Sequence, residues 1–117
     1  MAAVTRIPLS GSTDGRGIIV AATATPGTTV HTAVASATNP DEVWLWAVNS
    51  GTAPIKLTLE WGGVTAPDDL IEETISPEAG LVLVAAGLLI RNSLVIRAFA
   101  GSANLVLLHG YVNRITN

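Results

Sequence analysis

Five carboxylates, Asp68, Asp69, Glu72, Glu73 and Glu78, form the densest polar cluster in this chain. Oxygen donors at that density are what a calcium ion takes, but a calcium loop needs alternating Asp or Asn and a glycine at its turn. Neither is present, so the cluster reads as a solvated acidic strand edge, where charge also discourages edge-to-edge aggregation. His31 and His109 are far apart in the sequence, and neither stands in a metal-ligand spacing. Each reads as a hydrogen-bonded or interface histidine. Ser10, Ser12 and Thr13 around Gly11 do not form a nucleophile elbow, and no paired His and Asp completes a triad. Gly15-Arg16-Gly17 lacks the lysine and the glycine spacing of a phosphate loop. The residues therefore predict no catalytic group, no metal and no cofactor, and they argue against an enzyme. Trp44, Trp46 and Trp61 remain. Trp44 and Trp46 lie on one strand face, about 7 Å apart, a spacing that suits either a sugar-stacking platform or a contact between subunits. Core or interface packing is the favoured reading, because exposed Trp pairs on a charge-poor surface invite aggregation.

The elements that must carry these residues are short and β-favouring. From Glu42 to Arg114 the chain is a series of apolar segments separated by Gly, Pro, Asn and Asp. In 55–61, alternation places Leu57, Leu59 and Trp61 on one face and Lys56, Thr58 and Glu60 on the other, which is the pattern of a half-buried strand. VWLWAV (43–48) and LVLLHGYV (105–112) are apolar on both faces apart from His109, so both faces must be covered. Asn49-Ser50-Gly51-Thr52 and Gly101-Ser102-Ala103-Asn104 read as hairpin loops. With 69–75, 80–87 and 93–100 as further strands, the turn spacing predicts an all-β fold, an antiparallel β-sandwich or jelly-roll of about eight strands. Residues 1–41 differ, being rich in Ala, Thr, Gly and Ser. Residues 17–24 and 28–35 read as strands, whereas 1–16, with Pro8, Gly11 and Gly15, reads as an extended N-terminal arm. The predicted organisation is thus an arm over 1–16 and one β-sandwich domain over 17–117, with leader strands in 17–35 and a body over 42–115.

Composition narrows the function classes. The 117 residues include no cysteine, which removes thiol nucleophiles, thiolate zinc sites and a disulfide framework. A chain of this length buries roughly two thirds of its unfolded surface, enough for one domain to fold unaided. Charged residues make up 13%, against about 25% in an average soluble domain, while mean hydropathy is +0.49. No apolar run approaches the roughly 20 residues that span a bilayer, so the excess apolarity points to burial between subunits and not to a membrane. No signal-peptide pattern begins the chain. The net charge of −3 and six scattered basic residues argue against nucleic acid as a partner.

The leader IPLSGSTDGRGIIVAATATPGTTVHTA (7–33), followed by a β body ending in HGYVNRI (109–115), resembles the small capsid decoration, or cement, proteins of tailed double-stranded DNA bacteriophages. The resemblance spans nearly the whole chain in style and carries no diagnostic motif. It implies a viral structural protein made in the host cytoplasm and located on the capsid surface of the virion. It further implies a homo-oligomer, a trimer by preference, bound to the major capsid protein. On that reading the arm residues Arg6, Ile7, Leu9, Asp14 and Arg16 contact the capsid or a neighbouring copy, and Trp44, Trp46, Leu105, Leu107 and Tyr111 form the subunit interface or core. The alternatives are another virion position, such as neck, tail or fibre, and a glycan-binding module built on the tryptophans.

Overall fold

The computed structural model describes residues 2–117 and contains nine strands in two antiparallel sheets, with no helix among the described residues. The strands are β1 (Ala3–Pro8), β2 (Ile18–Ile19), β3 (Thr28–Thr32), β4 (Asp41–Asn49), β5 (Ile55–Trp61), β6 (Leu70–Ile75), β7 (Val82–Ile90), β8 (Val95–Ala100) and β9 (Val106–Thr116). The first sheet runs β1-β9-β4-β7, with β2 also on β9, and the second runs β3-β8-β5-β6. This is the order of a jelly roll, and the expected β-sandwich is what the chain forms. Between the sheets, Val43, Leu45 and Ala47 of β4 and Val106, Leu108 and Val112 of β9 meet Leu57 and Leu59 of β5 and Ile96 and Ala98 of β8, all buried.

The extended N-terminal arm expected over 1–16 is not what the structure shows. Residues 3–8 are a strand whose register runs from Ala3 opposite Thr116 to Pro8 opposite Tyr111. β2 then pairs with the other half of β9, Ile18 opposite Leu108. β1 and β2 are two pieces of one edge strand, interrupted by an excursion over 9–17. That excursion crosses to the second sheet: the Gly11 N–H donates to the Val30 carbonyl at 2.9 Å, and Leu9 is fully buried in the core. The sparse apolar residues of the leader mislead here, because Leu9 is part of the buried core and Ile7 packs against it.

Both predicted hairpins are also corrected. Residues 49–52 lead from β4 in the first sheet to β5 in the second, and 101–104 lead back from β8 to β9, so each is an arch between layers. Asn49 is the device at the first arch. Its buried amide donates to the Ala53 carbonyl at 2.9 Å and the Ile75 carbonyl at 2.8 Å, and its Oδ1 accepts from the Gly51 N–H at 2.8 Å. Among consecutive strands only β5 and β6 are hydrogen-bonded neighbours within one sheet. The polar face predicted for β5 is exposed only at Lys56. Thr58 and Glu60 are buried, and Glu60 accepts hydrogen bonds from the Thr25 hydroxyl at 2.5 Å and the Gly27 N–H at 2.6 Å.

Candidate functional site

Strand alternation turns Glu42, Trp44, Trp46 and Val48 of β4 away from the core, where they lie opposite Asn113, Tyr111, His109 and Leu107 of β9. Leu83, Ala86 and Leu89 of β7 flank them on one side, and the outward residues Arg6 and Val4 of β1 flank them on the other. The centre of this outer face is aromatic. Trp44 lies 6.2 Å from Trp46 and 6.4 Å from Tyr111, ring centroid to ring centroid, with interplanar angles of 20° and 15°. Trp46 and Tyr111 are 6.0 Å apart.

A chain of polar contacts fixes Trp44 and Tyr111. The Trp44 indole N–H donates to Glu42 at 2.8 Å, Asn113 donates to the same carboxylate oxygen at 3.0 Å, and Arg6 donates to Asn113 at 3.3 Å. The Arg6 guanidinium then sits 5.0 Å from the centroid of the Tyr111 ring, a cation–π contact that closes the circuit. The Trp44 and Asn113 donors hold the Glu42 carboxyl below its ordinary value. Two glycines let the aromatic residues sit this close to the sheet. A side chain at Gly110 would run into the Trp44 carbonyl oxygen, and a Cβ on Gly87, which has φ +70°, would lie 3.1 Å from the Trp44 ring. Gly87 is also the extra residue of a bulge, between Leu88 opposite Val43 and Ala86 opposite Trp44.

Of the residues expected in the subunit interface or core, Trp44, Trp46, Leu107 and Tyr111 come together on this face and Leu105 packs against the core. Of the predicted arm contacts, Arg6 joins the aromatic face, Asp14 and Arg16 are exposed in the excursion, and Ile7 and Leu9 are taken up by the chain's own interior. Trp61 lies away from the other two tryptophans, at the end of β5, with its indole N–H 3.5 Å from the Leu89 carbonyl. That Arg6, Glu42 and Asn113 meet has no signal in the sequence, since only register brings residues 6, 42 and 113 side by side.

The structure also assembles a serine, a histidine and an aspartate that sequence spacing does not suggest. His31 and Asp41 are fully buried, with Nε2 of the ring 2.8 Å from Oδ2 of the carboxylate. The other ring nitrogen, Nδ1, accepts the backbone N–H of Ser10 at 3.0 Å. Asp41 further accepts from Nε and Nη2 of Arg114 at 2.8 and 2.9 Å and from the Val34 N–H at 3.0 Å. Burial alone would raise the Asp41 carboxyl, but the hydrogen bonds from Arg114, His31 and Val34 outweigh it and hold the carboxyl below its ordinary value. A hydrolytic triad requires the serine hydroxyl on the free ring nitrogen. Here a backbone amide occupies that nitrogen, and the Ser10 hydroxyl oxygen accepts the Thr32 N–H at 2.7 Å. The arrangement ties β3, β4, β9 and the 9–12 turn together and offers no base to a substrate. At the acidic edge, Glu72 pairs with Lys56, and Asp69 accepts the Thr65 N–H at 3.1 Å.

No family model, no curated protein and no solved structure matches this chain.

Proposed function

We propose that the protein is a viral structural subunit, a capsid decoration or cement protein that binds the outer surface of a phage head and associates with copies of itself, three by preference, through the outer face of the first sheet. The observation that carries this reading is the aromatic cluster of Trp44, Trp46 and Tyr111, in which Glu42 holds the Trp44 indole and Arg6 covers the Tyr111 ring, on a mostly apolar sheet face. Trp, Tyr and Arg are the residue types that dominate protein interfaces, and side chains fixed before contact lose little entropy on binding. Jelly rolls serve viral shells among other roles, and the resemblance of the leader and body to decoration proteins points the same way. Three copies, each making a weak contact, hold a symmetric site far more tightly than one.

The test is the solution mass by light scattering at high and low salt, together with co-sedimentation of the protein with phage heads. A salt-insensitive trimer that sediments with heads is the expected result. A monomer at every concentration that leaves the heads bare sinks the reading. A trimer that ignores heads but forms rings or filaments moves the protein to a neck, tail or fibre position.

The same cluster favours a second reading. Jelly rolls also serve lectins, and three clustered aromatic rings, Trp44 near-parallel to both others, with Arg6, Glu42 and Asn113 beside them present stacking and hydrogen-bonding groups together. A change in Trp fluorescence on adding sugars, lost in a folded Trp44→Ala variant, would establish it.

A further inference from the structure

We propose that Ser10, His31 and Asp41 form an acid-sensitive latch that holds the N-terminal edge of the sandwich closed and releases it when the buried ring takes up a proton. The partners fix the ring's protonation. A backbone N–H can only donate, so Nδ1, which faces the Ser10 amide at 3.0 Å, is unprotonated. Nε2 therefore carries the hydrogen and donates it to Asp41 at 2.8 Å. A proton added to Nδ1 would set two N–H groups against each other on a fully buried ring, in a contact that is only partly open to water on the Ser10 side, and an unmatched polar contact of that kind is costly.

The charged groups that face the ring are Asp41 of β4 and, through it, Arg114 of β9. The Asp41 carboxylate already serves Arg114 twice and the Val34 amide once, so its charge is matched before the ring gains one. Relief can come only from the third side, where Ser10 belongs to the 9–12 turn. That turn is held besides by the Gly11 bond to Val30 and the Thr32 bond to the Ser10 hydroxyl, both of which depend on the same placement beside β3. When the turn moves, Leu9 leaves the core, and β1, whose ladder partner is β9 alone, loses its anchor. Arg6 then leaves the Tyr111 ring.

The test is amide hydrogen exchange of the whole chain read by peptide, at about pH 7.5 and about pH 5, the interval in which histidine is the side chain that changes charge. After correction for the intrinsic rate, the protection of residues 2–17, and of the β9 amides paired with β1, is expected to fall about tenfold or more at the lower pH, as linkage to a single proton allows, while peptides from β4 and β5 keep theirs. His31→Asn presents a non-titrating acceptor in the position of Nδ1, and in this variant the protection of 2–17 should no longer change with pH. Equal protection of 2–17 at the two pH values in the wild-type chain overturns the proposal. So does a loss spread evenly over the whole chain, which would mean global unfolding and no local release.

Discussion

Asp41 is the residue on which most of the buried polar structure depends, since His31, Arg114 and the Val34 amide all terminate on its carboxylate. Removing the charge with Asp41→Asn strands the Arg114 guanidinium and should cost up to about 3 kcal/mol, the low end for a broken buried pair because Arg114 keeps part of its side chain in water. Urea denaturation at neutral pH measures the loss. The same carboxyl predicts the pH dependence. Its folded value lies below the unfolded one, so its contribution is fully present above the ordinary carboxylate value of about 3.9 and disappears as pH falls through the depressed value. Wild-type stability should therefore drop below about pH 4 more steeply than that of Asp41→Asn. A second residue-scale contrast lies in the glycines. Gly110→Ala drives a methyl into the Trp44 backbone and should destabilise by about 1–3 kcal/mol, whereas Gly101→Ala enters open space and should change stability by less than about 0.5 kcal/mol. Denaturant midpoints of the two variants decide this.

At the scale of elements, the first strand and its excursion are part of the domain. A deletion of residues 1–16 removes β1 and the core residue Leu9 together, so the shortened chain should lose cooperative unfolding and not merely a contact with a partner. The single change Leu9→Ala should cost about 2–5 kcal/mol by leaving a cavity, while Val4→Ala, on the exposed strand, should be close to neutral. Thermal melts of both variants test whether Leu9 anchors the edge. The strand pattern in 43–48 and 105–112 was legible because both faces are apolar: the inner faces fill the core and the outer faces form the aromatic cluster. The half-buried pattern of 55–61 fails at Thr58 and Glu60, which are both buried, and over Glu60 the 25–27 loop brings the Thr25 hydroxyl and the Gly27 N–H onto a carboxylate that alternation places on the outside. No local rule reports that a distant loop supplies two donors.

For the molecule as a whole, the outer face of the first sheet governs the predicted assembly. Trp46→Glu places a charge in the aromatic cluster without touching the core and should turn an oligomer into a monomer that melts near the wild-type temperature. Light scattering beside a thermal melt separates that outcome from misfolding, and because the face carries few charges, salt should alter the mass little. The sequence by itself determined the β class, the positions of the body strands along the chain and the doubly apolar character of 43–48 and 105–112, because these follow from period-two patterning and from turn residues read over a few positions. Only the tertiary structure decided that 49–52 and 101–104 are arches between sheets, that residues 3–8 belong to the edge of the first sheet, and that Ser10, His31, Asp41 and Arg114 meet. The physical reason is that register across strands distant in sequence, such as β1 and β4 on β9, is set by how the two apolar layers fit against each other, and that fit is a property of the packed whole.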